Sequence, residues 1–335
     1  MSTLIDAHPR VMAIINRTPD SFYDKGATFA FDAALARCRE VVEAGATIVD
    51  VGGVKAGPGD DVDVQEEIDR VVPFIAAVRE ELAAAAGATA GTTTDADPAT
   101  SQSSSATATD TAAATPETAH AAAEPTTANA TTVNAAARVD ISVDTWRPEV
   151  AEAAIEAGAT LINDTWAGYE PELVEVAGAH KVGYVCSHTG GATPRTRPHR
   201  VHYDDVVADV IRETTALAER AVACGVPEEK VFIDPTHDFG KNTFHGLEIL
   251  RRIDEVVATG WPVLMALSNK DFIGETTGRG VGERVAGTLA ATAWCAARGV
   301  AAFRVHEVAE TLDVIRMTRA IQGTAAPLDT IRGLA

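Results

Sequence analysis

The chain is poor in cysteine, in aromatic residues and in positive charge, and each shortage removes a class of function. Its four cysteines, Cys38, Cys186, Cys224 and Cys295, lie far apart with no CxxC pair. That spacing excludes a zinc ribbon or a thioredoxin-like redox motif and reads as free thiols in a reducing cytosol. Lys and Arg number 28 against 48 Asp and Glu, for a formal net charge of −20. Nucleic acid requires a basic face, and anionic lipid requires basic clusters, so neither is an expected partner. The acidic excess reads as a solvated surface. No uninterrupted apolar run approaches 18 residues, and Met1–Arg10 holds no apolar signal core; the expectation is a cytoplasmic protein without a membrane span. No GxGxxG follows the first apolar run, which argues against a dinucleotide-binding sheet.

One segment has a composition of its own. Gly87 to Ala136 is almost entirely Ala, Thr, Ser and Pro, with a few acids and no Lys, Arg, Phe, Tyr or Trp. Such a segment buries too little apolar surface to offset its ordering entropy, so it reads as a disordered low-complexity insert. About 285 residues remain, close to the size of one β/α barrel. The expected layout is a tail over 1–10, barrel units over 11–86, the insert over 87–136, further barrel units over 137–322 and a tail over 323–335.

What remains alternates regularly. Short runs rich in Val and Ile read as buried parallel strands: Val11–Ile15, Thr47–Val51, Val139–Val143, Thr160–Ile162, Val182–Cys186, Val231–Ile233, Val263–Leu267 and Ala301–Val305. Helical stretches separate them, among them Asp32–Ala44, Val64–Ala85, Pro148–Ala157, Asp204–Cys224, Thr243–Val257 and Arg284–Ala297. Gly45, Gly158, Gly225, Gly260 and Gly299 stand where helices should close. Eight strands alternating with helices predict an α/β fold, a single-domain (β/α)8 TIM barrel. The insert falls between a helix and the next strand, on the face opposite the loops that carry function in such barrels.

Function is therefore sought just past the strand C-termini. A polar residue stands at each: Asn16, Asp50, Asp144, Asn163-Asp164, Ser187-His188, Asp234, Ser268-Asn269-Lys270 and Arg304-Val305-His306. Singly, each could cap a helix; eight at one end of a barrel form a site. Asp144, Asn163, Asp234 and Lys270 supply the acceptors and donors that suit a flat heterocycle with an N–C–N edge and a carbonyl. Arg304 and His306, alternating on one strand end beside Asn16, suit a diphosphate, with Arg as a bidentate clamp. Asn16 would share a Mg²⁺ with the phosphate oxygens.

These stretches carry a resemblance. Asn16-Arg17-Thr18-Pro19-Asp20-Ser21-Phe22, Asp50-Val51-Gly52-Gly53, Ile141-Ser142-Val143-Asp144-Thr145, Ile162-Asn163-Asp164 and Arg304-Val305-His306 closely resemble dihydropteroate synthase signatures, in order from about Val11 to Met317. The resemblance implies condensation of 6-hydroxymethyl-7,8-dihydropterin diphosphate with p-aminobenzoate for folate synthesis. It implies Asp144, Asn163, Asp234 and Lys270 on the pterin, and Asn16, Arg304 and His306 on the diphosphate and Mg²⁺. Asp24, Lys270 and Arg304 would be catalytic, with Asp24 facing the developing cation. Phe22 and Pro58 would line the p-aminobenzoate slot, and a homodimer is implied.

The p-aminobenzoate side departs from the family. Its second loop, usually Gly-Gly-Glu-Ser-Thr-Arg-Pro-Gly, here reads Gly52-Gly53-Val54-Lys55-Ala56-Gly57-Pro58-Gly59. Lys55 restores a charge but not a guanidinium fork. After the seventh strand the usual Ser-Arg-Lys-Ser becomes Ser268-Asn269-Lys270-Asp271, so Asp271 is expected to cap the next helix itself and to repel an incoming carboxylate. Two like charges about 4 Å apart cost roughly 4 kcal/mol at an effective dielectric near 20. The sixth loop, Thr236-His237-Asp238, replaces a Gly-x-Gly. Two readings follow: a dihydropteroate synthase with an intact pterin site, or a diverged paralogue that keeps pterin diphosphate and has lost or changed its acceptor. An acceptor without a carboxylate suits Asp271 better.

Overall fold

The structure, a computed structural model, describes residues 8–18, 30–90, 139–196 and 202–331. Eight parallel strands are joined by helices: β1 Arg10–Asn16, β2 Ile48–Gly52, β3 Asp140–Asp144, β4 Leu161–Asp164, β5 Gly183–Ser187, β6 Val231–Asp234, β7 Leu264–Met265 and β8 Ala302–Val305. The helices among the described residues are α1 Phe31–Ala44, α2 Val64–Ala90, α3 Pro148–Ala157, α4 Leu173–His180, α5 Val206–Ala223, α6 Thr243–Arg251, α7 Ile253–Val257, α8 Asp271–Thr277, α9 Val285–Ala296 and α10 Val308–Gln322. The sheet runs β6-β5-β4-β3-β2-β1-β8-β7. A parallel bridge from Ile233 to Val263 brings the two ends of that order together and closes the barrel.

The strand period of two sorts every side chain. One set points out to the helices, where Val11, Ala13, Ile15, Val49, Val51, Val143 and Phe303 join the main core. The other points into the lumen, whose lower part is filled by Met12, Ile48, Leu161, Val185, Phe232, Leu264, Ala266 and Ala302. Each fully buried aliphatic side chain contributes about 1.5–3 kcal/mol. Two residues further along the same face the lumen turns polar. Ile48 is followed by Asp50, Leu161 by Asn163, Val185 by Ser187, Phe232 by Asp234, Ala266 by Ser268 and Ala302 by Arg304. The apolar plug thus forms the floor on which a polar chamber stands.

Two helices depart most from the sequence expectation. Helix α2 continues through Ala90, so the backbone of Gly87–Ala90, the first residues of the expected insert, is helical. A run of alanines, the best helix formers, outweighs the cost of about 1 kcal/mol for one glycine. The rest of the expected insert, 91–136, lies outside the described residues. The helix expected over Thr243–Val257 breaks at Arg252 (φ −110°, ψ 22°), whose guanidinium is held by Asp205 and Glu255. Helices α4 and α10 add to the stretches read from the sequence. Gly45 and Gly158, expected to close helices, take φ of 110° and 123°, where a side chain would be strained.

Candidate functional site

At the C-terminal mouth lies a cavity of about 570 Å³ lined by residues from the ends of several strands and the loops beyond them, among them Asn16, Asp144, Ser268, Lys270, Arg304 and His306. Asn163 and Asp234 are buried, 1% and 2% exposed, and are not among the lining residues. They belong to the polar layer beneath.

That layer is organised by one cation. Arg304 Nε donates to Asp50 Oδ2 at 2.6 Å, and its Nη2 donates to Asp144 Oδ2 at 2.7 Å. Ser142 Oγ and Asn163 Nδ2 also donate to Asp50, at 2.6 and 3.1 Å, and Thr165 Oγ1 donates to Asp144 at 3.2 Å. Sequence placed Arg304 with His306 as an anion clamp; the structure seats its guanidinium on the chamber's own carboxylates. Asp50 was quoted among the motifs but not as a site residue. Its position two residues after Ile48, in lumen phase, was the available signal. Asn163 Oδ1 and Ser187 Oγ are buried and meet no hydrogen-bond partner, an arrangement that awaits a ligand's donor or water.

Burial governs the chamber's acids. It raises Asp144 to about 7, with Arg304 opposing the shift and Asp50 adding to it. It raises Asp234 to about 6, opposed by the Thr236 backbone N–H, which donates to Asp234 Oδ1 at 2.8 Å. To make that turn, Thr236 takes φ 48°, a left-handed conformation for a β-branched residue. Lys241, not anticipated from the sequence, donates to three backbone carbonyls, of His188 (2.8 Å), Phe239 (2.9 Å) and Thr236 (3.1 Å). Burial lowers its pKa to about 7. Lys270 Nζ lies 2.5 Å from Asp238 Oδ2.

The acceptor-side residues divide. Lys55 lines the cavity, Pro58 is exposed and outside its lining, and Phe22 and Asp24 lie outside the described residues. Asp271 corrects an expectation. The N-cap of α8 is Lys270, no side chain caps the helix, and Asp271 is its first residue. Its carboxylate accepts from Arg284 Nη1 at 2.8 Å with 76% of the side chain exposed. The pairing and the solvent weaken the repulsion of roughly 4 kcal/mol worked out for an unpaired charge. Trp166, Phe239 and His237 also line the cavity.

Two strand-end residues point away from the lumen. Asp164 accepts from Tyr184 Oη, Trp166 N and Gly168 N, and so shapes the loop after β4. His188 Nε2 lies 3.0 Å from Asp209 Oδ2 beside a second cavity of about 630 Å³, which none of the lumen-facing polar residues lines. Among the described residues, no group of three His, Cys, Asp or Glu could hold a metal ion, and no helix is long and apolar enough to cross a membrane.

Comparison with known proteins gives one answer. The model of the pterin binding enzyme family matches residues 12–86 and 113–306. "Inactive dihydropteroate synthase 2" of Mycobacterium leprae is 52% identical over 97% of this chain and 94% of its own length. Dihydropteroate synthase of Escherichia coli K12 is 31% identical over 94% and 92%. The crystal structure of Yersinia pestis dihydropteroate synthase in a sulfonamide complex superposes with a TM-score of 0.73 at 29% identity, covering 95% of both chains. A match over two long stretches of the chain, on a barrel whose polar layer holds the signature residues, makes this protein a member of the dihydropteroate synthase family, similar to its divergent second-copy paralogues.

Proposed function

We propose that this chain binds 6-hydroxymethyl-7,8-dihydropterin diphosphate at the barrel mouth and has lost the condensation with p-aminobenzoate. The observation that carries the reading is an asymmetry between the polar layer beneath the cavity and the cavity's rim. The inward polar set of Asp144, Asn163, Asp234, Lys270 and Arg304 is complete, whereas the rim carries Ala56, Gly57 and Asp271. The resemblance to relatives named as inactive synthases supports the same side. A pterin's ring N–H groups and carbonyl would meet the carboxyl of Asp234, the open Asn163 Oδ1 and the Lys270 ammonium. For a diphosphate to be held, Arg304 would release Asp144 to the pterin and turn toward the anion, beside His306 and Asn16.

Mg²⁺ belongs to this proposal as a companion of the diphosphate. The donor set fits that role, since Asn16 lines the cavity and Mg²⁺ takes one or two protein oxygens with phosphate and water. A homodimer is likewise proposed and is checked by sedimentation.

Diphosphate release from dihydropterin diphosphate with Mg²⁺, with and without p-aminobenzoate, tests the reading together with direct titration of the pterin. Binding with release indifferent to p-aminobenzoate is the expected outcome. Release that rises with p-aminobenzoate would restore the working synthase, with Lys55 in place of the missing arginine.

A further inference from the structure

Four cations line the cavity: Lys55, Lys241, Lys270 and Arg304. Arg304 spans Asp50 and Asp144, both strand residues, and the Lys241 ammonium donates to three backbone carbonyls. Lys270 is held differently. Its Nζ donates to Asp238 Oδ2 at 2.5 Å, its one hydrogen bond among the described residues. Asp238 lies in the loop after β6 and lines the same cavity. It stands where the second glycine of the family's Gly-x-Gly would be, so the carboxylate is an addition to that pattern.

Both loops are pinned at their backbones, so this contact is made by side chains alone. In the loop after β6, Thr236 N donates to Asp234 Oδ1, Lys241 binds the Thr236 and Phe239 carbonyls, and Tyr203 Oη donates to Gly240 O at 2.8 Å. In the turn before α8, Asn269 takes φ 57° and is held from three sides. Its N–H donates to Thr288 Oγ1 at 3.2 Å, its side-chain amide donates to Glu307 Oε1 at 2.6 Å, and its carbonyl accepts from Arg284 Nη1 at 2.9 Å. The Lys270 and Asp238 side chains are 19% and 38% exposed, so the pair is partly withdrawn from water and is screened less than a surface pair. An ammonium has three N–H donors, and two remain for a ligand. Any acceptor that uses them meets a charge already compensated by a carboxylate, and an anionic group is repelled by that carboxylate as it arrives.

We propose that Asp238 is a specificity-determining residue of this site, an internal counter-ion that lowers affinity for any ligand whose carbonyl or anionic oxygen binds the Lys270 ammonium. The inference deepens the preceding reading and rests on it for the ligand, since a pterin carbonyl is what Lys270 would meet. It is separate from the changes at the rim. Those act on the second substrate, whereas Asp238 acts on the pterin itself.

The test is a double-mutant cycle on the full chain, read by fluorescence titration with 6-hydroxymethylpterin. It compares wild type, Asp238→Ala, Lys270→Met and the double variant. Asp238→Ala should tighten pterin binding about tenfold, the lower end of what a hydrogen bond to a charged group is worth. The gain should vanish when residue 270 is Met, which a merely structural role for Asp238 does not predict. Asp238→Asn, which keeps the shape and removes the charge, should also gain, and it replaces the alanine variant in the cycle if that variant fails to fold. In parallel, an amine-acetylating ester is applied to the ligand-free proteins, and labelling is read by mass spectrometry with the exposed Lys181 as reference. Lys270 should label at least about threefold faster once the carboxylate is gone. Pterin affinity that falls or stays within about threefold of wild type, a gain that survives Lys270→Met, or an unchanged labelling rate overturns the inference. If pterin binds neither wild type nor any variant, the preceding reading fails, and the labelling rate alone decides this one.

Discussion

Replacing Arg304 with Met keeps an apolar stem and removes the guanidinium that joins Asp50 to Asp144. Both contacts are short, 2.6 and 2.7 Å, and Asp50 is fully buried. Breaking a buried pair by removing one partner costs about 3–5 kcal/mol, because a charge is left without compensation. In a domain of this size 1 kcal/mol moves the melting temperature by about 2–4 °C, so a fall of roughly 10 °C is expected near pH 8. The loss should carry a pH signature. Burial already raises Asp144 to about 7 while Arg304 pulls it down, so the variant's carboxyl titrates higher still. A carboxyl raised above its unfolded value contributes stability in full below that value, and loses it as pH rises through the folded pKa. The pH-dependent part of the gap grows by about 1.4 kcal/mol per pH unit above pH 7, so the gap should be smaller near pH 5 than at pH 8. Urea unfolding at intervals over that range measures the gap. A difference below about 1 kcal/mol at pH 8, or one that is the same at pH 5 and pH 8, would refute the claim that Arg304 neutralises this pair.

Other consequences follow from the same geometry. Because burial raises Asp234 to about 6, affinity for 6-hydroxymethylpterin should fall about tenfold per pH unit below 6 as the carboxyl takes up its proton. Asp234→Asn should flatten that dependence in a fluorescence titration, and a slope that persists unchanged would assign it to another group. The triple change Ala56→Thr, Gly57→Arg and Asp271→Ser should make diphosphate release depend on p-aminobenzoate; no dependence would place the defect deeper than the rim. Deleting 91–136, between the end of α2 and the start of β3, should leave the melting temperature and pterin affinity unchanged, since the segment joins the barrel at the end opposite its mouth. A marked loss of binding would show that it reaches the site.

The sequence alone determined the architecture of this protein. Apolar runs of strand length, spaced by amphipathic helices and closed by glycines, admit few folds, and strand period with parallel connections leaves a barrel. It also determined which residues gather at one end, because in a barrel every strand C-terminus shares a face. Asp144, Asn163, Asp234, Lys270 and Arg304 could be named without coordinates on that ground. What each does there is another matter. Whether Arg304 clamps an anion or bridges Asp50 and Asp144, whether Asp271 caps a helix or pairs with Arg284, and whether Asn163 lines a cavity or lies beneath it are decided by distances between elements far apart in the chain. Lys241 and His237 show the limit most plainly. A lysine in a loop and a histidine beside an aspartate carry no local mark of burial, and only tertiary packing, by excluding water from both, lowers one pKa to about 7 and the other to about 3.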